Sequence, residues 1–211
     1  MTYRNKNNDV YAYARANGFY GAIGKRLLDI SFACFVLITM LVPMLIIGLL
    51  VKLTSSGEII FKQVRIGRGG EPFVCYKFRS MRKDAPHDVP TAEFSGFDSY
   101  VTPLGRFLRK SSLDELPQII NVIKGDMSFV GARPLIPNES YMHVARRQGG
   151  VYELRPGITG LAQVRGRDMI DDEQKLFYEL EYIENFGFLL DMKILFQTLW
   201  SALISKNVRT E

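Results

Sequence analysis

Residues Ile30 to Val51, ISFACFVLITMLVPMLIIGLLV, form a run of 22 residues without one charged side chain. As a straight helix the run would reach about 33 Å, enough to cross a hydrocarbon core of roughly 30 Å. A helix on the surface of a soluble protein needs a polar face, and this one has none, so the run belongs in a membrane. It is too long for the apolar part of a cleaved signal, and no small-x-small cleavage site follows it. Pro43 lies past the middle, where it removes a backbone hydrogen bond and crowds the preceding turn. Basic residues flank both ends: Arg15, Lys25 and Arg26 before it, Lys52, Lys62, Arg65 and Arg68 after it. A single span should carry its basic excess on one side. The two-sided pattern suits a helix that breaks at Pro43 and leaves by the face it entered. On these residues alone a plain span stays open.

The remaining chain has to supply a soluble body. With 211 residues, 47% hydrophobic and 23% charged, it is long enough for one domain with a core and is neither disordered nor collagen-like. Two cysteines, Cys34 and Cys75, rule out a disulfide framework, and two distant histidines, His87 and His143, leave no zinc-site spacing. Both histidines read as structural or surface residues. The net charge of +5 points to an anionic partner: nucleic acid, a membrane surface or a phosphorylated substrate. Basic residues do not alternate with aromatics as single-strand binders require, so no nucleic-acid partner is expected.

Strand-like patterns over Glu58 to Ile66 and Pro72 to Met81, joined by GRGGE, predict a β-hairpin. Residues 83–100 read as a loop. Helices are expected over Pro103–Arg109, Glu115–Lys124, Glu139–Arg147, Asp171–Asn185 and Phe188–Ile204, the last apolar enough to lie in a membrane interface or to pack in the core. The fold class is therefore α+β and mostly helical.

The chemistry concentrates in RFLRKSSLDELPQ, where Asp114 and Glu115 adjoin with Arg106, Arg109 and Lys110 before them and Arg133 after. Ser112-x-x-Glu115 could be no more than a capping box. Pro117 speaks against it, since a helix capped at Ser112 would hold the proline at its fifth position. A helix starting near Asp114 puts Pro117 in the first turn and Asp114 at a positive helix end, which favours its ionised form. Paired carboxylates ringed by arginines suit metal-assisted chemistry on a phosphate, and an aspartate can serve as a covalent nucleophile there. With no His or Cys cluster, the expected metal is Mg2+, held by Asp114 and Glu115. GDMSFVGARP and RPGITGLAQVRGR, rich in glycine and arginine, read as phosphate-binding loops or as ordinary turns.

In order along the chain, KRLLD (25–29), KQVRIG (62–67), YKFRSM (76–81), LRKSSLDELPQ (108–118), GDMSFVGARP (125–134) and RPGITGLAQVRGR (155–167) resemble the motifs of the bacterial sugar transferase family, in particular its small monotopic phosphoglycosyl transferases. The resemblance implies transfer of a sugar 1-phosphate from a UDP-sugar to polyprenyl (undecaprenyl) phosphate, with Mg2+ and with release of UMP. Such a step initiates capsule, exopolysaccharide, O-antigen or glycoprotein glycan assembly at the cytoplasmic face of the bacterial inner membrane. It implies Asp114 as nucleophile, Glu115 as its metal-associated partner, and Arg109 and Arg133 near the phosphates. Lys77, Arg79, Arg155, Gln163 and Arg167, within matching motifs, are further candidates for substrate binding. Pro43 matches the proline that breaks the family's re-entrant helix. The implied layout is an interfacial segment over 1–24, a re-entrant helix over 25–54 and a cytoplasmic catalytic domain over 55–211, without the additional N-terminal spans and domain of the family's long versions. Membrane lipids are an expected partner, and the oligomeric state is not legible. Ala132, Val42 and Gly187 depart from residues common in the family, and Ala132 in place of proline is expected to loosen the turn before Arg133. The rival from another class is a non-catalytic basic membrane adaptor, in which the acidic pair could be neutralised without loss. A single-pass enzyme of identical chemistry is the other rival.

Overall fold

A computed structural model of the protein describes residues 18–86, 96–166 and 170–204, with side chains to Ser201. A π-helical turn, Tyr20–Gly24, leads straight into helix α1 (Lys25–Thr54). Helical backbone continues on both sides of Pro43. Pro43 has no N–H to offer the Thr39 carbonyl, while the exposed Thr39 hydroxyl donates back along the helix to the Phe35 carbonyl at 2.9 Å.

One stripe of α1, including Ala33, Ile47, Gly48 and Val51, is buried. Around it large apolar side chains stay exposed along the whole length, from Leu27 and Phe35 through Ile38 and Leu45 to Leu53. Ala33 packs with Cys75, Ile119, Val122 and Met127, whereas Ile47 and Val51 pack with Phe78 and Leu108. Leu116 touches both clusters, so the two halves of α1 rest on one body.

Charged residues fasten the start of the helix. Lys25 forms a buried ion pair with Asp191, whose carboxylate also accepts the hydroxyls of Tyr20 at 2.6 Å and Tyr182 at 2.7 Å. Asp29 accepts Ser128 Oγ and the Phe129 amide, each at 3.0 Å. The Arg26 guanidinium caps the carbonyls of Val122 and Ile123. KRLLD is thus a docking motif.

The hairpin forms as the alternation predicts. Strands β1 (Ile60–Ile66) and β2 (Pro72–Phe78) pair antiparallel from Ile60↔Phe78 to Ile66↔Pro72. Gly69 and Gly70, at φ of 72° and 81°, make the reversal. The predicted loop over 83–100 ends in a helical turn, α2 (Phe97–Tyr100), and its residues 87–95, His87 among them, lie outside the described residues. Helix α3 (Pro103–Lys110) is capped by Thr102 Oγ1, which accepts the Gly105 amide at 2.9 Å. A 3-10 turn, Leu113–Glu115, precedes α4 (Gln118–Lys124).

The two glycine-rich segments, expected as loops, form a parallel pair, β3 (Ser128–Val130) with β4 (Gly157–Thr159). Their glycines serve backbone contact: a Cβ on Gly157 would stand 2.1 Å from the Gly131 nitrogen. Between and after them run α5 (Ser140–Gln148), α6 (Leu161–Arg165), α7 (Asp172–Glu184) and α8 (Phe188–Ile204). Asp171 caps α7 by accepting the Gln174 amide at 2.8 Å. Along α8, Ile194 and Asp191 face inward while Leu189, Phe196 and Trp200 are exposed, so core packing and an apolar outer face coexist. His143 is half-buried and bonded to Tyr152 and to the Ile136 carbonyl, in keeping with a structural role.

Asn121, wholly buried on α4, ties the hairpin down. It accepts the Tyr76 amide at 3.1 Å and donates to the Val74 carbonyl at 2.6 Å. Asn121→Ala leaves both strand groups unpaired in the core and should cost about 3 kcal/mol of stability, read as a lowered unfolding temperature in detergent.

Candidate active site

Between α3 and α4 the chain makes its one described left-handed bend at a residue other than glycine, Ser112 at φ 58°. Such a conformation costs a side-chain-bearing residue about 1–2 kcal/mol. It turns the following 3-10 segment so that Asp114 and Glu115 face a cleft of about 1880 Å³. The capping box does not form: Ser112 makes no side-chain cap, and Glu115 bonds elsewhere.

Glu115 Oε1 accepts both Lys77 Nζ at 2.7 Å and Arg133 Nη2 at 3.0 Å. Burial alone would raise its pKa, but the two cations outweigh burial and hold the carboxyl well below the ordinary glutamate range. Asp114, 5% exposed, accepts no hydrogen bond and forms no ion pair among the described residues. Burial pushes its pKa up and the Glu115 charge adds to the effect, with Lys77, Arg109 and Arg133 partly offsetting both. The helix-end expectation for Asp114 is therefore corrected. Helix α4 begins only at Gln118, and loss of water outweighs any dipole from so short a helix.

The other sequence candidates divide. Arg109 lines the cleft with its guanidinium 4.6 Å from the centre of the Phe97 ring, and Gln163 lines it with a buried Nε2 that lacks a partner among the described residues. Arg79 also lines the cleft, yet its Nη2 donates to the Ser55 carbonyl and hydroxyl at 2.8 Å each, fastening the end of α1. Arg155 is not at the acidic pair. It lies in a separate small recess with Asp29 and Arg68, where its Nε donates to the Gly125 carbonyl at 2.9 Å. Burial and the neighbouring Arg68 and Arg26 lower its pKa. Arg167 lies outside the described residues. Residues that the sequence did not single out for the site also shape it: Arg65, Arg146 and Glu179 support the segment that carries Arg133.

Among the described residues no three His, Cys, Asp or Glu side chains gather into a metal cage. Magnesium does not need one, since it takes one or two carboxylates and completes its shell with water and substrate phosphate. Asp114, buried and with no hydrogen bond or ion pair among the described residues, fits that donor set beside Glu115.

The acidic pair lines a large cleft, and the same body carries a helix long and apolar enough to cross a membrane. The sequence profile of the bacterial sugar transferase family matches residues 20–205. The uncharacterized sugar transferase EpsL of Bacillus subtilis (strain 168) is 40% identical over 187 residues, 88% of this chain and 90% of EpsL. The UDP-glucose:undecaprenyl-phosphate glucose-1-phosphate transferase of Klebsiella pneumoniae is 40% identical over 190 residues, 87% of this chain and 41% of that protein. The undecaprenyl-phosphate galactose phosphotransferase of Salmonella typhimurium is 38% identical over 191 residues, 82% of this chain and 39% of that protein. This chain thus spans about two-fifths of the last two and nearly all of EpsL. It belongs to the bacterial sugar transferase family.

The depressed pKa of Glu115 stabilises the fold above the unfolded-state value near 4.5, and that contribution is lost as pH falls below it. Glu115→Gln should therefore lower the melting temperature at pH 7, with the gap to wild type narrowing between pH 4.5 and pH 3 in thermal scans.

Proposed function

We propose that the protein transfers a sugar 1-phosphate from a UDP-sugar to undecaprenyl phosphate through a covalent aspartyl intermediate, at the cytoplasmic face of the bacterial inner membrane. The observation that carries this reading is the contrast within the acidic pair, Glu115 paired with two cations and Asp114 buried with no hydrogen bond or ion pair among the described residues. The printed activities of the Klebsiella and Salmonella relatives support the reaction class.

In the first step an Asp114 carboxylate oxygen attacks the phosphorus that bears the sugar. The bond from that phosphorus to UMP breaks, and UMP leaves with the electron pair. Lys77 and Arg133 hold Glu115 ionised, while Arg109 contributes positive charge to the cleft. In the second step an oxygen of the lipid phosphate attacks the same phosphorus and the Asp114 carboxylate departs. Magnesium, held by Asp114 and Glu115, would supply charge neutralisation for the diphosphate. Two displacements keep the lipid phosphate and the nucleotide from having to meet in one complex.

Incubation with UDP-sugar alone should release UMP once per active site and add one sugar-phosphate mass to the Asp114 peptide, and Asp114→Asn should abolish both. Release of UMP only when lipid phosphate is also present, with no adduct by mass spectrometry, would leave Asp114 as a metal ligand in a direct displacement.

For the membrane helix the reading is re-entrant. Both halves of α1 lie against the same body, and its start and its end are each tied to that body by charged side chains, Lys25 and Arg26 at one end and Arg79 at the other. A span would have to carry this body into the bilayer beside it. In a background lacking Cys34 and Cys75, Phe19→Cys and Arg68→Cys should both label from the cytoplasm only. Labelling of the two from opposite faces would establish a span.

A further inference from the structure

Four successive carbonyl oxygens just before α5 are each gripped from a different direction. Ala132 O accepts the Gly157 amide of β4 at 2.9 Å, and Leu135 O accepts the Ile66 amide of β1 at 2.9 Å. Between them, Arg133 O accepts Arg146 Nη1 at 2.9 Å and Pro134 O accepts Arg65 Nη1 at 3.0 Å. The turn at Ala132 is fastened at its carbonyl by the Gly157 amide. The segment is a strap, and its outward side chain is Arg133, whose Nη2 reaches Glu115 at 3.0 Å.

Arg146 is the least expected part of this strap. It is 1% exposed on α5 and forks onto Glu179 of α7, 3% exposed, with Nε donating to Oε2 at 2.8 Å and Nη2 donating to Oε1. The surrounding interface is apolar, built from Leu135, Met142, Leu176 and Leu180. As a stabilising device such a pair is a poor choice, since an apolar pair of the same volume often serves folding as well or better. What an apolar pair cannot do is donate a hydrogen bond to the Arg133 carbonyl.

We propose that Arg146, oriented by Glu179, is a positioning residue for the transferase reaction: it fixes the Arg133 backbone so that the Arg133 guanidinium meets Glu115 and the substrate phosphates in register. The proposal rests on the reading of Asp114 and Glu115 as the reacting centre. Glu179 matters only through Arg146, because it holds the fork at the angle that aims Nη1 at the strap.

Two variants separate positioning from folding. Arg146→Met with Glu179→Leu removes the charges and the donor together. Arg146→Lys keeps the buried charge balance, but its ammonium cannot span Glu179 and the Arg133 carbonyl at once. Both are compared with wild type in melting temperature, in steady-state transfer from UDP-sugar to undecaprenyl phosphate, and in amide hydrogen exchange over residues 131–136. The expected result is near-wild-type melting, a turnover number lowered about 10²-fold with KM for the UDP-sugar little changed, and faster exchange confined to the strap. In an Arg133→Ala background the same substitutions should cost no further activity. Full activity of the Met/Leu variant, an equal loss in both backgrounds, or failure of both variants to fold would each overturn the proposal. If wild type transferred no sugar phosphate while exchange in the strap still rose in the variants, the functional reading would fall and the mechanical role of Arg146 would stand.

Discussion

The fold depends on the seating of an apolar helix whose first turns are charged. Lys25 on α1 and Asp191 on α8 come from opposite ends of the chain, and they meet out of water with the hydroxyls of Tyr20 and Tyr182 around them. Removing one partner of a buried pair commonly costs about 3–5 kcal/mol, because the other charge is stranded. Here more than stability follows from the pair. One turn further along α1, Asp29 holds the Ser128 hydroxyl and the Phe129 amide, which fixes β3. From β3 the chain passes directly into the segment that presents Arg133 to Glu115. The seat of the membrane helix and the alignment of the acidic pair are therefore parts of one connected structure.

The acidic pair draws its asymmetry from unequal surroundings. Two adjacent carboxylates of nearly equal intrinsic acidity are driven apart, Glu115 toward permanent charge by Lys77 and Arg133, Asp114 toward protonation by burial. Groups whose environments separate their pKa values in this way are suited to different roles in one reaction. The bend at Ser112 turns the short segment that carries both carboxylates toward the cleft, and neighbours on such a turn point to different sides.

The sequence makes some of this legible and hides the rest for identifiable reasons. The hairpin declares itself through alternation and a glycine-rich reversal, and α7 and α8 through period and an acidic cap; the observed bounds of α8, Phe188–Ile204, are those expected. Strands β3 and β4 are three residues each and pair across a long crossover, so no local pattern announces them. Arg155 reads as a phosphate ligand because guanidinium groups suit phosphates, yet helix-end carbonyls suit them as well, and Gly125 supplies one. Arg146 and Glu179 lie on separate helices and look like solvated charges, since burial is a property of packing that a one-dimensional pattern does not carry. The pair Asp114–Glu115 is legible because its chemistry is local to one motif.

The orientation of the charged residues on α1 has a practical consequence. Lys25, Arg26 and Asp29 turn toward the body, which leaves the outer side of the helix a nearly continuous hydrocarbon surface from Leu27 to Leu53. The grip on a bilayer is then one of buried area rather than of headgroup contact, and salt, which screens charge, has little hold on it. High ionic strength or an alkaline carbonate wash would leave the protein in the membrane pellet, and only detergent would extract it. Fractionation would class it with integral membrane proteins whether or not that helix crosses the bilayer.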